Sequence, residues 1–204
     1  FNYAFDEGGG VMIAGEQPVG NPLALSPGTG NVSVERNLIQ GNLSNDDGGG
    51  VRLLQPVSGR ISIINNMIVN NLATDIGGGI ALDDALDVRI IHNTVARNIS
   101  SSTAEDADRS TCNPALNGSC PHAAGLVSEM HSQALINAFR LNCQRVSCFS
   151  NPVLFNNIFW QNQAFYLDGT IGLFGGGLLS AGYLDLEVIG GGSNDHYRAN
   201  NNIC

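Results

Sequence analysis

Three carboxylates stand where strand alternation could bring them together. Asp83 and Asp84 close the run Ile80-Ala81-Leu82-Asp83-Asp84, and Glu129 closes Leu126-Val127-Ser128-Glu129. The two runs align with each other and with Val51-Arg52-Leu53-Leu54, each following a stretch of Gly or Ala. With Ile80 and Leu82 pointing inward, Asp83 points outward and Glu129 takes the corresponding place one repeat later. Carboxylates paired in this way could do acid–base work on a glycan or hold Ca2+. Asp84 and His131 lie close by in sequence, so Asp83, Asp84 and Glu129 are the candidate catalytic set. Two features oppose chemistry: Leu54 replaces an acid in the preceding repeat, and no Arg or Lys is expected beside the pair. Asp83 and Glu129 are both expected to be exposed, and a solvated acidic face is the simpler reading.

Other groups are weaker candidates. Asp6-Glu7 and Asp46-Asp47 precede glycine triplets at equivalent corners, where Ca2+ is conceivable but a surface turn is the plainer reading. No other cofactor is expected. His92, His122 and His196 have no partners at metal-ligand spacing. Trp160, Phe165 and Tyr166 could stack on a sugar, with core or corner packing the simpler alternative. Asn-x-Ser sequons occur at Asn31, Asn42, Asn98 and Asn117.

The elements that would position these groups come from a repeat. Asn37, Asn66, Asn93, Asn137, Asn157 and Asn202 share one anchor position, spaced 29, 27, 44, 20 and 45 residues apart. Five residues after the anchor stand Asn42, Asn71, Asn98, Asn142 and Asn162; two residues after it stand Ile39, Ile68, Val95, Phe139, Phe159 and Cys204. Units of this size with insertions are those of a solenoid. Apolar residues alternate in Val32/Val34, Ile61/Ile63 and Val88/Ile90, which is strand periodicity. Coils of such strands stack about 4.8 Å apart, so like residues fall above one another and Asn side chains can bond up a ladder. Asn also tolerates the left-handed backbone of the corners. The glycine triplets read as tight structural turns, since no helix follows to make a phosphate loop.

The motif Asn-Asn-x-Ile-x-x-Asn with a following Gly-Gly-Gly-apolar segment resembles the right-handed parallel β-helix repeat proteins of bacteria, the pectate-lyase-like superfold. It is carried by Gly48–Val51, Gly77–Ile80 and Asn156–Asn162 and covers the chain except roughly residues 99–122 and 163–196. The resemblance implies an all-β, right-handed parallel β-helix. It does not select an activity, because the superfold hosts polysaccharide lyases, glycoside hydrolases, adhesins and spikes alike.

Residues 1–204 read as one β-helix domain with 99–122 as a loop insertion; 163–196 are not phased against the repeat. The charge of −9 and pI near 4.6 argue against nucleic acid and anionic membranes, and no apolar run is long enough to span a bilayer. Cys112 with Cys120 and Cys143 with Cys148 lie close in sequence, and two local disulfides are expected, with free thiols or cross-pairing as alternatives. Such pairing favours an extracellular or cell-surface location. Cys204 falls in the inward apolar column as a buried thiol. The chain starts at Phe1 with no initiator Met and stops inside a repeat, so it reads as a segment of something longer or a unit capped end-on by a partner. The functional expectation is a structural, adhesive or glycan-binding role, with glycans or neighbouring subunits as partners. The alternatives are a carbohydrate-active enzyme and an end-stacked filament or spike subunit.

Overall fold

A computed structural model describes residues 1–16, 20–21, 24–104, 107, 118–143, 146–171, 176–190 and 199–200. Asn113 to Asn117, Cys112, His196, Asn202 and Cys204 lie outside the described residues, and the expectations placed on them stand there. The chain is all-β, its strands mostly parallel and gathered in stacked sheets, an arrangement compatible with a parallel β-solenoid.

β1 (Tyr3–Ala4) precedes the first full circuit, which comprises β2 (Val11–Ala14), β3 (Val32–Glu35), β4 (Leu38–Gln40) and β5 (Leu43–Ser44), with β5 stacked on β1. The next two are β6 (Val51–Leu54), β7 (Ile61–Ile64), β8 (Met67–Val69) and β9 (Leu72–Ala73), then β10 (Ile80–Asp83), β11 (Val88–Ile91), β12 (Thr94–Ala96) and β13 (Ile99–Ser100). After them come β14 (Leu126–Glu129), helix α1 (Gln133–Phe139), β15 (Val153–Phe155), β16 (Ile158–Trp160) and β17 (Gln163–Asp168). Three further strands follow: β18 (Gly177–Tyr183), β19 (Leu186–Ile189) and β20 (Ala199–Asn200). Four sheets result: β1-β5-β9-β13-β17-β18, β19-β14-β10-β6-β2, β20-β15-β11-β7-β3 and β16-β12-β8-β4.

Among the described residues every pairing between strands is parallel except β17 with β18, where the chain doubles back, and Met130 and Phe149 form an isolated antiparallel bridge. That return is why residues 163–196 resist phasing from the sequence: β17 continues β13, β18 runs antiparallel to it, and β19 rejoins the stack beside β14. Ile99 and Ser100, expected in the insertion, instead extend the β9 sheet as β13.

Alternation buries one face of most strands, but β6, β10 and β14 are buried on both, where Ala81 and Val127 pack with Ile76 and Ala123 in a second, smaller apolar cluster. Ile39, Ile68, Val95 and Phe159 stack in register, as do Leu53, Leu82 and Ser128, and all but Ser128 belong to one apolar core. Two asparagine ladders bind its corners. Asn42 donates its backbone N–H and Nδ2 to Asn71 Oδ1, Asn71 to Asn98, and Asn98 to Asn162, at 2.9–3.1 Å. Asn37, Asn66, Asn93 and Asn157 make the same pattern at the other corner. Each inner Asn also donates to a carbonyl of the preceding circuit, as Asn98 does to Ile68, so buried backbone groups that a corner would orphan are satisfied. Asn42 and Asn98 are buried here, which leaves their sequons no room for a glycan.

Asn137 and Asn142 do not join the ladders. The run Gln133-Ala134-Leu135-Ile136-Asn137-Ala138-Phe139 is helix, because it is rich in helix formers and Ser132 caps it, Oγ accepting from Leu135 N–H. Arg140, left-handed at φ 51°, ends it.

Cys143 and Cys148 form a disulfide and Cys120 is also disulfide-bonded, features compatible with an oxidising compartment. Closing so short a loop contributes about 2 kcal/mol. Replacing Cys143 and Cys148 together by Ala is expected to lower Tm by a few degrees and to open the 140s to protease before the sheets. Unaltered cleavage there would show that the bond holds nothing.

Candidate ionic site on the outer face of the β10 sheet

Position along β6, β10 and β14 decides which side chains share the outer face. Val51 and Leu53 point inward, so Arg52 points outward, flanked in register by Met12 on β2 and Ala81 on β10. Ala81 is small and lets the Arg52 side chain lie across it. The guanidinium therefore reaches Glu129, two strands away, with Nη1 2.7 Å from Oε2. Its Nε lies 2.9 Å from Glu7 Oε2 and its Nη2 3.0 Å from Asp47 Oδ2. Glu7 and Asp47 stand at the turns before β2 and β6, where Gly8 and Gly48 follow them with φ of 75° and 66°. A Cβ on Gly48 would fall 2.7 Å from that of Arg52, so only glycine fits there.

The expected lack of a basic residue beside the acidic pair is thus overturned. Arg52 is a diagonal neighbour, not the register partner, of Glu129, and only 4 % of its side chain is exposed. Glu7 and Asp47 likewise went unrecognised as members of the site. The available signal was the small residue at position 81 beside an outward arginine. Leu54 does pair with Asp83, as alignment suggested.

Asp83 is half-buried, not freely exposed. Glu129 ends β14, one residue beyond the Leu82–Ser128 partners, which sets it beside Asp83. Burial, then the negative charges of Glu129 and Asp84, push the Asp83 carboxyl up to about 7, with Arg52 opposing. Asp47 is also raised well above the carboxylate range, chiefly by burial, with Arg52 again opposing. One guanidinium therefore faces more carboxylates than it can neutralise, and retained protons absorb part of the excess.

Asp84 has a separate role. Its left-handed backbone, φ 47°, turns it away from this face, and it is 1 % exposed. It accepts from Ser132 N–H at 2.8 Å and from Ser132 Oγ at 2.5 Å, with His131 Nδ1 3.5 Å away. Burial alone would raise its carboxyl, but the contacts from His131 and Ser132 outweigh that and hold it below its ordinary value. Asp84 thus anchors the cap of α1, and the candidate set reduces to Asp83 and Glu129 with Arg52.

Glu7, Asp46 and Asp47 offer carboxylate oxygens within 4.8 Å of one another, the place where the Ca2+ expectation would apply. Two of the three already bind Arg52, which supplies the positive charge a metal would bring. Trp160, Phe165 and Tyr166 do not form one platform. Trp160 is 53 % exposed on β16, whereas Phe165 and Tyr166 are half-buried on β17, in another sheet. His92 stacks edge-on against Phe155 and His122 Nδ1 lies 3.2 Å from Glu187. No helix among the described residues is long and apolar enough to cross a membrane. No protein-family model, curated protein or solved structure matches the chain.

The raised Asp83 carboxyl has a pH signature. An aspartate in the unfolded chain titrates near 3.9, so between about 4 and about 7 the folded form holds the extra proton and stability falls as pH rises. Asp83→Asn is expected to be more stable than the parent at pH 8, the difference shrinking toward pH 4. Thermal denaturation across that range tests it, and a difference independent of pH would contradict it.

Proposed function

We propose that this chain is an extracellular or cell-surface right-handed parallel β-helix with a structural or adhesive role, in which the outer face of the β10 sheet contacts glycans. The observation carrying this reading is the convergence of Arg52, Asp83 and Glu129, with Glu7 and Asp47, from successive circuits onto one outward face. A stacked core and two ladders need nothing ionic there. Partly buried carboxylates are strong acceptors for sugar hydroxyls. The face carries excess negative charge, so neutral glycans suit it better than acidic ones. Native gel electrophoresis through neutral polysaccharides is expected to retard the protein, and Asp83→Asn with Glu129→Gln to weaken retardation at least tenfold without changing circular dichroism. Equal mobility with and without polysaccharide would remove the reading.

A second reading, a carbohydrate-active enzyme, is favoured by one specific observation: Asp83 keeps its proton to about 7 beside Glu129, which Arg52 contacts. A carboxyl that keeps its proton beside a second carboxyl suits a general acid. Release of new reducing ends by the unmodified protein, lost in Asp83→Asn, would replace binding by catalysis.

A further inference from the structure

The sheets built on β11 and β12 carry a different surface. Along β4, β8, β12 and β16 the outward register column is Leu38, Met67, Thr94 and Ile158, with Trp160 in the column beside it. Leu38 is 62 % exposed, Met67 52 %, Ile158 40 % and Trp160 53 %. Three of the four register positions are apolar, with Thr94 between Met67 and Ile158, so the column is a strip rather than scattered surface residues. The charge beside it is inverted. The chain as a whole carries −9, yet among the described residues beside this strip exposed Arg36, Arg89 and Arg97 stand against the acids Glu35 and Asp87, the latter already paired with Arg60. Arg36 and Arg97 stand at the left-handed corners before β4 and after β12. The Arg97 guanidinium lies 5.8 Å from the Trp160 ring centroid.

We infer that this strip is the binding face for an anionic polysaccharide running along the stack. The apolar column receives the C–H faces of successive sugar rings, Trp160 stacks on one of them, and the flanking guanidinium groups take the carboxylate or sulfate oxygens. Two circuits rise about 9.6 Å, close to the repeat of an extended disaccharide, so alternate sugars meet equivalent positions. The acidic β10 face repels the same ligand, which fixes the side on which it lies. This site is independent of the glycan contact proposed for the β10 sheet, and none of its residues belongs to that cluster.

The test is native gel electrophoresis of the 204-residue chain through hyaluronan, dextran sulfate or uncharged dextran. Retardation that weakens as salt rises is expected in one or both anionic gels, whereas any retardation in uncharged dextran belongs to the β10 face and does not depend on salt. Retardation by hyaluronan assigns carboxylate, and by dextran sulfate alone assigns sulfate. The combined Arg36→Ala, Arg89→Ala and Arg97→Ala variant is expected to bind at least tenfold more weakly, and Trp160→Ala about as much. Arg60→Ala, which alters charge outside the strip, is expected to bind normally. Asp83→Asn with Glu129→Gln separates the two faces: it leaves anionic binding intact whatever it does to neutral glycans. Equal retardation of the triple variant, or absence of retardation in both anionic gels, overturns the inference. So does a doubled mass by light scattering that Trp160→Ala returns to a monomer, since a second copy would then be what covers the strip.

Discussion

Replacing Arg52 by Met is expected to destabilise the protein by about 3–5 kcal/mol, the cost of stranding buried carboxylates when the cation that contacts them is removed. Met fills most of the space over Ala81, so the loss reads charge rather than volume. Glu7, Asp47 and Glu129 would lose contacts of 2.7–3.0 Å at once. In a chain of this size that energy corresponds to a drop of roughly 10 °C in Tm. The drop should be larger at pH 8 than at pH 5. Asp47 and Asp83 are both held toward the protonated form, so mild acid lets them shed the charge that Arg52 balances. The matched control is Arg60→Met. Arg60 pairs with Asp87 at 2.9 Å, but their side chains are 50 % and 47 % exposed, and such pairs contribute at most about 1 kcal/mol. Equal effects of the two substitutions would mean that the Arg52 cluster is solvated in solution.

Asn98→Asp is expected to cost roughly 3 kcal/mol or more, although it changes one group and almost no volume. Asn98 Oδ1 accepts from Asn71 N–H and Nδ2, a task an aspartate can do. Its Nδ2 donates to Ile68 O at 3.0 Å and to Asn162 Oδ1 at 2.9 Å. An ionised carboxylate would set an acceptor against both acceptors at a fully buried position, leaving them unsatisfied. Protonation restores one donor, so the loss should ease at low pH. Asn45→Asp, at an exposed turn, is expected to change little. Thermal unfolding of the two variants side by side checks this, and matching midpoints would mean that the ladder does not hold the corners.

The ladders were legible in the sequence because stacking forces like onto like: one offset repeated in Asn42, Asn71 and Asn98 can be read without coordinates. The same rule misled at Asn137 and Asn142, where the offset recurs by chance in a capped helix and the segment just after it. A column is evidence only where alternation accompanies it, and Gln133 to Phe139 has none. Asp83 beside Glu129 was legible for the same reason as the ladders. Arg52 was not, because its partners are diagonal and lie in three different circuits, and register alignment compares only positions directly above one another. The exposure of Trp160 was hidden too. Its outward place follows from Phe159 facing in, but nothing in the sequence tells whether an outward residue is covered.

The most direct measurement is a 13C NMR titration of the Asp83 carboxyl, assigned by its disappearance in Asp83→Asn. It bears on whether the outer face of the β10 sheet holds a proton near neutrality among Arg52, Glu129 and their neighbours. A midpoint of about 7 is expected. A midpoint near 4, that of a solvated aspartate, would contradict it and return the face to ordinary acidic surface.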